Sequence, residues 1–126
     1  MMHPIVWKYS GILLFGGLGS VARFGLTELV EYYAGKAFPL GTMLVNILGC
    51  LVFGILWAIA SKGAMSEEWR VILLVGFLGG FTTFSSFAFH NEQMMVQGQW
   101  SALLVNVLVQ NVVGVAAVWV GVKVVS

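Results

Sequence analysis

Three intervals of this chain contain no Asp, Glu, Lys or Arg: Leu40 to Ser61, Val71 to His90 and Ser101 to Val122. Each is long enough to cross a bilayer core, which takes about 20 apolar residues as a helix. Lipid supplies no hydrogen-bond partners to the backbone, so an apolar segment must satisfy its own N–H and C=O groups. Unbroken stretches of this length are therefore predicted to be helices rather than open strands. A further apolar stretch starts at Tyr9 and runs through Val21 and Ala22, then meets Arg23 before Glu28 and Glu31. It reads as a span with an embedded cation. Lys8 followed by an apolar run also fits a secretory signal, but the glycines at 11, 16, 17 and 19 and the lack of a convincing cleavage site argue against one. The fold class expected is an all-α membrane protein, one domain over residues 1–126, with spans near 9–33, 40–61, 70–96 and 100–123.

Composition agrees. The chain is 60% apolar and 9% charged, with a mean hydropathy of +0.96, far from the usual soluble domain. Its 126 residues leave room for about four spans and short turns. A formal charge of +1 offers no field for nucleic acid or an acidic macromolecule. Cys50 is the only cysteine, which excludes an intrachain disulfide and a two-cysteine redox or zinc site. Gly16-xxx-Ser20 and Ala117-xxx-Gly121 place small residues where membrane helices can approach closely. Trp7, Trp69, Trp100 and Trp119 fall near segment ends, where an amphipathic ring sits at the interface, and Trp57 lies near one end of its span. With four spans Lys8, Lys62, Arg70 and Lys123 share a side and Lys36 lies opposite, which favours termini inside, though in a chain this sparse in Lys and Arg the small excess permits insertion both ways.

Polar side chains within the spans carry the functional signal, because an unpaired one costs about 1–3 kcal/mol. Thr42 and Asn46 share one face of the second span, and Asn106 and Gln110 share one face of the fourth, with Asn111 a step round and Gly114 continuing the stripe. The third carries Gly79-Gly80-Phe81-Thr82-Thr83-Phe84-Ser85-Ser86-Phe87. Singly, such amides read as glue between helices. Together they supply N–H and O–H donors without a fixed charge, which suits an anion that must shed water and leave again. Phe84 and Phe87 alternate with hydroxyls, so their positive ring edges can border the same path; packing is the plainer reading of either ring. Gly79-Gly80 before two threonines is a weak place in a helix, where unwinding would free carbonyls toward a cavity or a ligand.

The stretches Gly16-Gly17-Leu-Gly19-Ser-Val-Ala-Arg23-Phe, Gly41-Thr42-Met-Leu-Val-Asn46 and Gly76-Phe-Leu-Gly79-Gly80-Phe-Thr82-Thr83-Phe84-Ser85-Ser86-Phe87 resemble, in order and spacing, the signatures of the Fluc (CrcB) fluoride channels. The resemblance implies passive fluoride export across the plasma (inner) membrane by an antiparallel, dual-topology homodimer with two pores, and a third helix broken near its middle. It also implies a structural sodium ion at the dimer interface. By motif, Asn46 would donate to fluoride, Phe84 and Phe87 would line the pore, and Arg23 would lie by an aqueous vestibule. Thr83, Ser85, Asn106 and Gln110 would complete the path, and Gly79 and Thr82 would offer backbone carbonyls to sodium. The chain departs from the family at His90, where many relatives have Glu, and in a fourth-span track of Asn106, Gln110 and Gly114 that is often hydroxylated; His90 reads as a vestibule group or as an interfacial hydrogen-bonding residue.

A small dual-topology proton-coupled exporter is the rival reading, but it needs a carboxylate deep in the first span, and Glu28 and Glu31 come late. A structural subunit is the plainer alternative, and would tolerate Asn46→Leu with ion permeability unaltered. Nothing suggests an enzyme: serines and His90 have no orienting carboxylate within reach along the span.

Overall fold

The computed structural model describes residues 2–126. The described residues are helical apart from short connections: α1 (Pro4–Ala34), α2 (Leu40–Ser61), α3 (Glu67–Val71) continuing through a π-helical stretch, Ile72–Phe77, into α4 (Leu78–Phe81), then α5 (Phe84–Val96) and α6 (Trp100–Val125). Four helical runs are long and apolar enough to cross a membrane: Pro4–Ala34, Leu40–Ser61, Glu67–Val96 and Trp100–Val125. The first helix begins earlier than the apolar pattern suggests, at Pro4, because His3 caps it: its Nδ1 accepts from the Ile5 N–H at 3.3 Å, and proline suits the first helical position. It ends at Gly35, whose φ of 79° favours glycine.

One end of the bundle is marked by aromatic and basic groups. The rings of Trp7 and Trp69 meet edge to face, 6.4 Å apart, the Arg70 guanidinium lies 5.9 Å from the Trp57 ring centre, and Lys62 Nζ donates to the Val125 carbonyl. Lys8, Lys62, Arg70 and Lys123 thus gather at the same end. Lys36 is at the other, paired with Glu31 at 3.4 Å.

Small residues set the helix separations. A Cβ at Gly19 would run into the Phe77 carbonyl, and one at Gly80 into the backbone of Gly16 with Ser20 Oγ at 3.1 Å; α1 therefore lies directly on the third span. Gly54 and Gly121 do the same for α2 against α6, where a Cβ would meet the Val118 and Leu51 carbonyls. Apolar packing is concentrated where the helices cross, with Val45, Leu78 and Phe81 buried together.

Helical hydrogen bonding is interrupted at Thr82 and Thr83, whose backbones are extended (ψ 156° and 115°). Gly79 and Gly80 themselves remain helical. Room for the interruption comes from α2, where a Cβ at Gly49 would collide with Thr82 Cγ2.

Candidate functional site

The interruption diverts hydrogen bonds. In a continuous helix the Thr83 N–H would bond the Gly79 carbonyl; here it donates to Asn46 Oδ1 at 2.8 Å. The Ser86 N–H, helical partner of the Thr82 carbonyl, is taken by Thr83 Oγ1 at 3.2 Å, so Thr83 caps α5. The Gly79 and Thr82 carbonyls thereby lose their helical donors. The Gly80 carbonyl is met instead by Arg23 Nε at 3.0 Å.

A backbone N–H can only donate, so Thr83 fixes which way the Asn46 amide faces. Asn46 Nδ2 then gives its hydrogens to the Thr83 carbonyl at 3.1 Å and to Gln110 Oε1 at 2.8 Å. Gln110 Nε2 in turn donates to Asn106 Oδ1 at 2.9 Å, and Asn106 Nδ2 to Asn91 Oδ1 at 2.8 Å. Four side-chain amides from α2, α6 and α5 form one relay with a single direction. Asn106 is wholly buried within it, where an unpaired amide would be costly.

Beside the relay lies an open groove of about 420 Å³, lined by Asn46, Thr83, Phe84, Phe87, Gln110 and Asn111 together with Gly79, Thr82 and apolar neighbours. The Phe84 and Phe87 rings are 5.6 Å apart and tilted by 46°. Phe84 is 79% exposed in the single chain, so little within the chain holds that ring. A Cβ at Gly79 would meet nothing within 4 Å among the described residues, and no contact among them requires glycine there.

The structure gathers most of the residues singled out from sequence. Asn46, Gln110 and Asn106 are joined by hydrogen bonds, and Phe84, Phe87 and Thr83 face the same groove. Ser85 is exposed and joined to Thr83 Oγ1 at 3.3 Å; Ser85, Asn106 and Arg23 lie outside the groove lining. Arg23 is partly buried against the Gly80 carbonyl. Gly114 is buried, with Cys50 Sγ 3.6 Å from where its Cβ would lie. His90 has a buried Nδ1 that finds no partner among the described residues. Asn91 was missed by sequence reading, because it opens the polar run Asn91-Glu92-Gln93 that reads as an interface. A polar residue less than two helical turns before a short connection, across which Asn106 lies on the returning helix, was the available signal.

Residues 11–122 match the family model described as CrcB-like protein, Camphor Resistance (CrcB). A protein of Nitratidesulfovibrio vulgaris named fluoride-specific ion channel FluC is 46% identical over 109 residues, 86% of this chain and 88% of the relative. Proteins of the same name from Solidesulfovibrio magneticus and Nitrosococcus oceani are 43% and 40% identical over 115 residues, 90% of this chain and 92% of each relative.

Proposed function

The chain belongs to the CrcB family, and from that premise we propose that it is a multi-pass membrane channel that conducts fluoride passively and lowers its concentration in the cell. The observation that carries this reading is the amide relay beside the Phe84–Phe87 groove. Fluoride is small and strongly hydrated, and its dehydration in a low-dielectric path costs several kcal/mol unless other donors replace water. Neutral amide N–H groups do so without the deep trap of a fixed cation. Asn46 has both its Nδ2 hydrogens engaged within the chain, so donation to a passing ion exchanges one of these bonds for N–H···F⁻. Gln110 Nε2 and Asn106 Nδ2 each carry a second hydrogen outside the relay. The edges of Phe84 and Phe87 supply weak positive potential at the groove. Fluoride efflux from liposomes holding the purified protein, compared with chloride, tests the reading; a parent protein that passes no fluoride would falsify it.

The channel is a homodimer of oppositely inserted chains. Support comes from a groove left open along one side and from the absence of a neighbour over Gly79 and most of Phe84 among the described residues. A second copy placed head to tail closes the groove. Accessible-cysteine labelling is expected to find both orientations in cells, and a single orientation rejects this assembly.

A sodium ion at the dimer centre fits the donors present. The Gly79 and Thr82 carbonyls have lost their helical donors, and hard oxygens suit a hard cation. Two such pairs related by symmetry would hold the ion and tie the chains together. Sodium supplies charge at the interface, and Thr83, by turning its N–H toward Asn46, frees a carbonyl for it.

A further inference from the structure

The relay ends on a group that has no assigned part in conduction. Asn91 Oδ1 accepts from Asn106 Nδ2 at 2.8 Å, which turns the Asn91 Nδ2 away from Asn106. That NH2 meets no acceptor among the described residues, and it is not a buried atom. Glu92, next along α5, points its carboxylate to Gln93 Nε2 at 2.7 Å and so does not claim it.

The direction of the relay decides what Asn91 presents. Beginning at the Thr83 N–H, each amide accepts on the side of the helix interruption, and Asn46, Gln110 and Asn106 each donate one hydrogen toward the α5–α6 turn, Asn46 returning its other to the Thr83 carbonyl. The amide dipoles therefore add, with their positive ends toward Asn91, as peptide dipoles add along a helix. Thr83 and Asn91 are eight residues apart on the α5 side, or about 12 Å at the helical rise. An anion coming from the turn end of the bundle meets two free N–H groups at the positive end of this line, before any hydrogen bond of the relay has to open.

We propose that the Asn91 side-chain amide is the outermost anion-binding station of the track, where a small hydrated anion exchanges its first water for an N–H donor. This rests on the fluoride-channel reading above. Asn91 also positions Asn106; an aspartate keeps the oxygen that accepts from Asn106 but has no N–H to give and adds a charge, so the two roles are told apart on the side-chain NH2 itself.

Asn91→Asp, eluting and melting like the parent, is expected to pass fluoride in liposome efflux at about one tenth of the parent rate or less, the loss of one donor to an ion being worth about tenfold or more. Because the new carboxylate also repels a passing anion, the fall in flux alone does not separate the two roles; a residue that only positions Asn106 predicts a side-chain NH2 resonance that does not respond to fluoride. In nitrogen-15-labelled parent protein, the side-chain resonance identified by its absence in Asn91→Asp is expected to move as sodium fluoride replaces sodium gluconate. The proposal is overturned if that resonance stays in place, or if folded Asn91→Asp conducts like the parent. A parent that conducts no fluoride overturns the channel reading itself; a conducting parent with an indifferent Asn91→Asp overturns this station alone.

Discussion

Asn46→Asp changes the chemistry of the relay at its first side chain while leaving its shape. In the parent, Asn46 Nδ2 faces two oxygens, the Thr83 carbonyl at 3.1 Å and Gln110 Oε1 at 2.8 Å. Aspartate puts a third oxygen there. Gln110 answers by turning its amide over, but its Oε1 then meets Asn106 Oδ1, so Asn106 must turn, and after it Asn91. Reversal of three amides satisfies them all. The Thr83 carbonyl belongs to the backbone and cannot turn, but as the N-cap of α5 it keeps the first helical N–H, so the lasting cost to folding is its second hydrogen bond, about 0.5–1.5 kcal/mol. Conduction suffers far more. A carboxylate about 4 Å from a passing anion repels it by about 4 kcal/mol at an effective dielectric constant near 20, about a thousandfold in rate, and every relay donor now points at that carboxylate. The expected outcome is a variant with parental elution, a slightly lower melting temperature and no measurable fluoride efflux from liposomes read with a fluoride electrode. Parental flux from folded Asn46→Asp refutes both the direction of the relay and its contact with the ion.

Phe84→Leu and Phe87→Leu keep apolar bulk and remove the ring edge, so each is expected to reduce fluoride efflux with little change in melting, Phe84 being mostly exposed within the chain; parental flux in both would reduce the rings to packing. Gly19→Ala and Gly54→Ala push a Cβ into the Phe77 and Val118 carbonyls, and each should destabilise the bundle by about 1–3 kcal/mol, as overpacking does, seen as a lower midpoint in thermal melts in detergent. Arg23→Met strands the Gly80 carbonyl that Nε now holds at 3.0 Å, with an expected loss of about 1–3 kcal/mol, partly recovered in Arg23→Lys; melting unchanged in Arg23→Met would mean that water serves that carbonyl equally well.

Span positions were legible because charge is excluded from lipid: the charge-free interval Leu40 to Ser61 coincides with α2. The amides were legible for the same reason, since Asn46, Asn106 and Gln110 stand out in segments where polar groups need partners. Their connection was not, because it depends on how α2, α5 and α6 are turned toward one another. Asn91 escaped notice because it sits beside Glu92 and Gln93, where a polar residue needs no explanation. Gly79 and Gly80 drew attention as the weak point of the third span, yet both stay helical, and Gly80 is occupied with letting Gly16 close on it. The extended residues are Thr82 and Thr83, two and three positions on. A partner on another helix, Asn46, takes the Thr83 N–H, and a tertiary bond of this kind leaves no local mark. The π-helical stretch Ile72–Phe77 likewise had no counterpart in the periodicity.

One diverted hydrogen bond links the two ions of the proposed mechanism. The Thr83 N–H has two possible acceptors, the Gly79 carbonyl of its own helix and Asn46 Oδ1 of α2, and it takes the second. That choice orients Asn46, hence Gln110, Asn106 and Asn91, and so determines which hydrogens face an anion. The same choice releases the Gly79 carbonyl for a cation. Asn46→Leu removes the acceptor and strands the Thr83 N–H and Gln110 Oε1, at about 1–3 kcal/mol each, while the Thr83 carbonyl keeps the helical N–H it accepts as N-cap. The least costly repair for the N–H is to return to Gly79 and rewind the helix by one bond, which withdraws that carbonyl from the proposed sodium site. Loss of the anion path and loosening of the proposed dimer are therefore coupled in Asn46→Leu. In Asn46→Asp the acceptor oxygen survives, Thr83 keeps its partner, and the dimer should hold while conduction stops.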